Sequence, residues 1–445
     1  MSDKGKELKS ILAIDVGSFK TVAIIANVDE ELSVSGVGIA KSKGIKKGAI
    51  TNIDEASKSI RQALNDAKRI AGIDINKAVV SISATYTKSI KSNGIVNVPG
   101  NEITIKEINR AIQTALYNAT IPNDYIVLQA IPYDFKVDEL NEIEDPQGMS
   151  GSRLEVSLHI IIAQKSGMEN LKKTFTQAGI EIVNIVHSGY ASALAVLNED
   201  EKELGVAVID IGATTSDLAI YMNKALRYTD FLAVGSHHIT SDLSMALHTT
   251  PLEAEYIKTH FEEFIKSEND LIEISVIGNE NEKQKASLNT ITQVISARIE
   301  ETFLLLNKQI TRSELKPKLA AGIVLTGGFT NFYNVRDITM QFFEGLPARI
   351  GKPRVINGLV ENLQAPEYAT VIGLLLYGNG ESNKYEKDSN QKFTSEAIFE
   401  SQIKKEENEP KEVNEKEQLA DIASTQKPQS INPIRKFITW LNNLF

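Results

Sequence analysis

The sequence predicts an α/β protein of two halves built on one plan, with a small α+β unit set into the first half. Three observations carry this. An apolar strand, then Asp, an aliphatic residue and Gly, a few polar-tolerant positions and a second apolar strand occur at residues 11–28 (ILAIDVGSFKTVAIIANV). The same order returns at residues 204–221 (LGVAVIDIGATTSDLAIY), with Asp15 aligned to Asp210 and Gly17 to Gly212; internal similarity of this kind marks a repeated unit. The third observation is residues 321–331 (AGIVLTGGFTN), a buried-looking strand ending in Gly327-Gly328.

The turn chemistry of the repeat points to phosphate. Gly17 and Gly212 let backbone approach a ligand, successive N–H groups in such a turn cradle phosphate oxygens, and Asp15 and Asp210 suit one shared, hydrated cation. For a single hairpin the competing reading is a turn whose Asp and Thr satisfy their own backbone; the second copy argues against it. Paired glycines after a strand permit close approach to a nucleotide. Neither GxGxxG nor GxxxxGK[ST] follows a strand, which removes the Rossmann and P-loop readings.

Composition sets the frame. The 445 residues, 42% hydrophobic, suffice for two or three domains. The absence of Cys excludes disulfides, thiolate metal sites and Cys nucleophiles, and fits a reducing compartment. A net charge of −10 argues against nucleic acid as a partner. No signal-peptide pattern opens the chain, and no run approaches the roughly 18–20 apolar residues that span a bilayer. The expectation is a soluble, cytoplasmic body.

Along the chain, the first hairpin is followed by a strand at 32–40, a helix at 54–71 with an apolar stripe, and a strand at 78–84. Residues 86–98 read as a strand or hairpin, and 104–118 as a helix opened by a Thr104/Glu107 capping box. Strands follow at 125–137 and 154–163, around a polar loop at 139–156. A helix at 168–179, a strand at 181–186 and a helix at 189–197 lead into the second hairpin. Beyond it come helices at 240–247 and 251–264, a strand at 271–276, a long helix at 288–310 and a helix at 367–377. Residues 380–431 are rich in Lys, Glu, Asn, Ser and Gln and read as a disordered tether, too poor in apolar area to order. In residues 432–445 (NPIRKFITWLNNLF), Ile434, Phe437, Ile438, Leu441, Leu444 and Phe445 share one face of a helix, with Trp440 at its margin. That pattern predicts an interfacial membrane helix with basic residues toward an anionic membrane surface; docking on the body is the alternative.

The three motifs together resemble the phosphate-1, phosphate-2 and adenosine motifs of the actin/Hsp70/sugar-kinase superfamily. The unit inserted at 85–164, with IPYDFKVD leading to DPQGMSGSRL, resembles that of the FtsA family of bacterial cell-division proteins; few other actin-like proteins carry such an insertion, the pilus-assembly ATPase PilM being the main one. The resemblance implies an actin-like two-half ATPase fold with residues 1–84 and 165–200 as one half, 201–240 and 318–379 as the other, and 241–317 as an outer subdomain. It implies ATP and Mg2+ as cofactors. Gly17, Ser18 and Phe19 would offer backbone donors to the β/γ-phosphates and Lys20 a charge, with Gly212, Ala213, Thr214 and Thr215 facing them. Asp15 and Asp210 would orient Mg2+ largely through water. Gly327, Gly328 and Phe329 would border the adenosine, and Glu255 and Lys258 would contact ribose or adenine, a solvated helix face being the other reading for those two.

Two positions depart from the pattern. Ala213 and Thr214 stand where glycine is usual. Ser188 stands where related ATPases place an acid or Gln to orient the attacking water, so ATP binding with weak turnover is expected, and His187 is read as structural. The family role implied is an ATP-binding protein that polymerises and tethers FtsZ to the cytoplasmic membrane at the septum and helps recruit later division proteins. The C-terminal tail of FtsZ would dock on 241–317, with Arg298 and Glu301 as contacts. A PilM-like assembly ATPase is the alternative, for which the tether and terminal helix are superfluous. A sugar or acetate kinase lacks its sugar-site pattern here, and a chaperone lacks room for a substrate domain.

Overall fold

The computed structural model describes residues 9–267, 270–358 and 361–395. Its first sheet starts with the antiparallel run β1 (Lys9–Val16), β2 (Lys20–Val28) and β3 (Leu32–Lys41). The small hairpin β4 (Ile45–Lys46) and β5 (Ala49–Ile50) leads to α1 (Ile53–Ala71). Asn52 caps α1 by accepting from Glu55 N, acids fill its first turn and bases its last, and Gly72 ends it at φ 67°. Gly36 and Gly38 let β3 lie directly on this helix, since a Cβ on either would overlap the carbonyls of Ala67 and Ala63. β6 (Lys77–Ile82) pairs parallel with β1.

The chain then leaves for the inserted subdomain. Its strands β7 (Thr87–Asn97), β8 (Tyr125–Val137), β9 (Leu140–Ile143) and β10 (Arg153–Gln164) form a sheet ordered β7-β10-β8-β9, with α2 (Ile105–Asn118) packed on β7 and β10. The Thr104/Glu107 capping box is present. The expected loop at 139–156 holds the short edge strand β9, whose residues are too polar and exposed to show a strand period. Returning, α3 (Lys165–Ala178) covers the first sheet and β11 (Glu181–His187) joins β6, completing the order β11-β6-β1-β2-β3.

The second half repeats this topology. After α4 (Ser188–Val196) and α5 (Glu199–Leu204) come β12 (Val206–Ile211), β13 (Ser216–Met222) and β14 (Ala225–Leu232), antiparallel. The outer subdomain follows: α6 (His237–Ala246), α7 (Pro251–Thr259), α8 (Phe261–Lys266), the hairpin β15 (Leu271–Val276) and β16 (Asn279–Ser287), and α9 (Leu288–Arg312). The helix expected over 251–264 is two helices, broken at His260 (φ −105°, ψ 17°). β17 (Gly322–Thr326), α10 (Val335–Phe342), β18 (Ala348–Ile350) and α11 (Ala369–Gly378) close the half, and its sheet runs β14-β13-β12-β17-β18. Both sheets therefore read as three antiparallel strands extended by two parallel ones on the side of the first. α4 and α11 cross between the halves, so closely that a Cβ on Gly373 would overlap the Ala191 carbonyl.

The expected start of the tether at 380 needs correction. Residues 380–395 continue the folded body: Tyr385, Glu386 and Phe393 are buried, and Lys387 exchanges backbone hydrogen bonds with Ala130 of β8 (2.9 and 3.0 Å). Composition hid this, because Tyr385 and Phe393 are isolated among polar residues. Ile434, Phe437, Ile438, Trp440, Leu441, Leu444 and Phe445 lie outside the described residues. Among the described residues no helix is long and apolar enough to cross a membrane.

Candidate functional site

The two repeated turns adopt the same closure. Gly17 N donates to Lys20 O (3.1 Å) and Gly212 N to Thr215 O (2.9 Å). They meet across the gap between the halves, where Thr214 Oγ1 bonds Ser18 Oγ at 2.7 Å. The third motif comes alongside because β17 runs parallel to β12, pairing Thr326 with Asp210. Gly327 follows at φ 86°, and any Cβ there would overlap Asp210 Oδ1, so only glycine fits.

Together these elements enclose a cavity of about 490 Å³. Asp15, Gly17, Ser18, Phe19, Lys20, Asp210, Gly212, Ala213, Thr215, Glu255, Lys258, Gly327, Gly328 and Phe329 all line it; Thr214 does not, being spent on Ser18. The Phe19 ring itself is turned to solvent, leaving its backbone at the turn. Phe329 is buried and stacked on Phe332 (5.6 Å between centroids), which makes it as much core as wall. Glu255 and Lys258 face inward as a pair (2.8 Å), with Lys258 only 10% exposed and Thr240 donating to Glu255. Lys258 is thus turned from solvent, while Glu255 keeps 36% of its side chain exposed. Arg298 and Glu301 lie elsewhere, on α9 beside α6, where Arg298 is bonded to Asp242 (3.0 Å from Nη2) and to Glu301.

Three carboxylates sit at the floor. Ser81 donates to Asp15 (2.7 Å), and Ser192 and Thr370 donate to Asp210 (2.6 and 3.3 Å). Asp217, the cross-strand neighbour of Asp210, accepts from Ser188 Oγ at 2.5 Å, while its buried Oδ1 has no hydrogen-bond partner. Burial, opposed by Ser81 and reinforced by Asp210, pushes Asp15 up to about 6. Burial and the neighbouring Asp210 push Asp217 up to about 7 against the pull of Ser188, and burial raises Asp210. A concentration of oxygen donors that resists ionising and keeps one oxygen unpaired suits a hard divalent cation. Among the described residues no three acidic or His side chains converge on one point, so such an ion would be held in part through water.

Lys20, the cation beside them, is engaged: it pairs with Glu367 and lies 3.5 Å from the centre of the Tyr368 ring. Asp217, Glu367, Tyr368 and Ser81 were absent from the sequence-based site. Asp217 was within reach, as the second Asp of the turn, but the others arrive from strands and turns remote in sequence. His187 is buried at the start of α4, where its Nδ1 accepts from Tyr190 N (3.2 Å) and burial lowers it to about 4, fitting a structural role.

Residues 84–162 match the family model of the SHS2 domain inserted in FTSA, and residues 207–373 match that of cell division protein FtsA. Cell division protein FtsA of Helicobacter pylori is 37% identical over 413 residues, covering 85% of this chain and 84% of that one. The Bacillus subtilis protein is 33% identical over 374 residues, covering 82% of each. The Escherichia coli protein is 30% identical over 396 residues, covering 85% and 94%. Among solved structures, the PilM-PilN type IV pilus biogenesis complex aligns with a TM-score of 0.61 at 15% identity, covering 83% of this chain and 98% of that one. MreB5 of Spiroplasma citri bound to ADP aligns at 0.51 and 14%, covering 84% and 97%. These two are likenesses of fold.

Proposed function

The chain belongs to the FtsA family of actin-like cell-division proteins, and on that premise we propose that it binds ATP with Mg2+ between its halves and tethers FtsZ to the cytoplasmic face of the membrane at the division septum. The observation that carries the nucleotide reading is the pair of equivalent Asp–Gly turns, closed face to face over a carboxylate floor. With Gly17 N and Gly212 N closing the turns, the backbone donors of 18–20 and 213–215 would hold the phosphates, with Lys20 released from Glu367 to join them. Asp15, Asp210 and the unpaired oxygen of Asp217 would hold the hydration shell of Mg2+, which supplies neutralising charge to the phosphate oxygens. Gly327, Gly328 and Phe329 would border the base, with the Glu255–Lys258 pair at its rim.

Turnover is expected to be weak. Ser188 takes the place of an acid, and its hydroxyl is already spent as a donor to Asp217. Division partners follow from the family; FtsZ, self-assembly into filaments and later division proteins are the specific partners proposed. A shallow groove between α6 and α9, lined by Met245, Ala246, Val294 and Ala297 with Arg298 at its edge, offers a seat for the FtsZ tail. The likeness to PilM is one of fold at 15% identity and adds nothing for a pilus role.

The test is sedimentation of full-length protein and a variant ending at Ser430 with anionic vesicles, each with and without the FtsZ C-terminal peptide. Only full-length protein is expected to pellet, carrying the peptide with it. Unchanged pelleting of the truncated form would refute the membrane helix, and pelleting without peptide would refute the adaptor role.

A further inference from the structure

Among the described residues outside the cleft, Glu386 is the most deeply buried carboxylate. Its side chain is fully buried, and its described donors are all neutral. Tyr190 OH of α4 donates to Oε2 (2.7 Å), Tyr377 OH of α11 to Oε1 (3.0 Å), and Gln129 Nε2 of the inserted subdomain to Oε1 (2.8 Å). One carboxylate, supplied by the segment that follows the actin-like body, thus grips both crossing helices and the insertion.

The same two helices grip the cleft. Ser192 of α4 and Thr370 of α11 both donate to Asp210, and they bond each other at 2.9 Å. A second route runs through the start of α4. Gln129 Oε1 accepts from His187 N (3.0 Å), and the next residue, Ser188, donates to Asp217. Glu386 is therefore two hydrogen bonds from Asp210 along either helix, and three from Asp217 through Gln129. Buried bonds without water to replace them are costly to break singly, so a shift of α4 against α11 would carry either the cleft or residues 383–394 with it. That segment is held independently: Asn383 bonds Pro132 O (3.1 Å), Asn184 bonds Asp388 (2.9 Å) and Ser389 (2.6 Å), and Lys384 pairs with Asp145 (2.6 Å).

We propose that Glu386 is a positioning residue for the nucleotide cleft, and that docking of residues 383–394 and occupancy of the cleft are reciprocally coupled through α4 and α11. This rests on the nucleotide reading above. Such coupling is a free energy shared by the two events, so each must tighten the other by the same factor.

The experiment uses the full chain with AMP-PNP and Mg2+. Hydrogen exchange is followed at 383–394 and at the turns 17–20 and 212–215, and AMP-PNP affinity is measured by titration. AMP-PNP is expected to slow exchange at all three segments in the wild type. Glu386→Leu, which strands three donors, should weaken AMP-PNP about tenfold, within the range usual for coupled sites, and Glu386→Gln should restore most of that loss. Should Glu386→Leu fail to fold, Phe393→Ala loosens the segment with every hydrogen-bonding group of the network in place, and is expected to weaken AMP-PNP in the same direction. Slowed exchange at the turns with no change at 383–394, together with wild-type affinity in the folded variants, would overturn the coupling and leave the nucleotide reading standing. No slowing at the turns would overturn both.

Discussion

At the scale of single residues, the cleft is governed by carboxyls that resist ionising and by one glycine without substitutes. Burial pushes Asp15 up to about 6 and Asp217 up to about 7, above the ordinary carboxyl value of 3.8. Acids raised on folding bind protons more tightly in the native state, so their contribution is full below pH about 4 and is lost as pH climbs through 6 and 7. Glu386, raised by burial to about 7, acts in the same direction. Ligand-free protein is therefore expected to melt at lower temperature at pH 8 than at pH 5. The gain in melting temperature from Mg2+ and AMP-PNP should widen over that interval, because the cation requires the ionised forms; a gain independent of pH would contradict the carboxylate assignment. Gly327→Val adds side-chain overlap with Asp210 to a left-handed backbone, a strain of about 1–3 kcal/mol, and is expected to abolish nucleotide binding in a titration. Glu367→Gln frees Lys20 and is expected to tighten AMP-PNP severalfold; weaker binding would mean that Glu367 serves the ligand rather than restraining Lys20.

At the scale of elements, helix and strand signals were legible where one face is buried and caps are explicit. Of the apolar stripe on α1, Ile60, Ala63, Leu64 and Ala67 are buried while Ile70, in the last turn, is exposed, and the Thr104/Glu107 box of α2 falls where capping puts it. The strands missed were β4, β5, β9, β14, β16 and β18; of these, β9 and β16 are polar partners paired to their neighbours by backbone bonds that need no apolar side chain. The break at His260 escaped because apolar spacing continues across it, with Ile257 and Phe261 both buried. Close packing of elements gives its own prediction. Gly38→Ala would drive a Cβ into the Ala63 carbonyl of α1, and an overpacking cost of about 1–3 kcal/mol or more should appear as a lowered denaturation midpoint.

At the scale of the whole molecule, the end of the folded body is set by docking rather than by composition. A variant ending at Asn379 discards Tyr385 and Phe393, each worth roughly 1.5–3 kcal/mol when buried, and should melt well below one ending at Ser395. Equal melting temperatures would show that residues 380–395 add nothing to the body. The sequence by itself determined the two-half plan, the insertion, the repeated Asp–Gly turns and the glycine pair. Those features are local: a turn that must approach a ligand, or a strand that must be buried, limits the residues allowed at fixed spacings. Only the tertiary structure decided that Asp217 joins Asp15 and Asp210, that Glu367 occupies Lys20, and that Glu386 reaches both crossing helices. Asp217 lies in the repeated hairpin, but its approach to Asp15 and the other two contacts join segments whose separation along the chain carries no period or motif, and the energy that fixes them comes from burial, which exists only once the halves have closed.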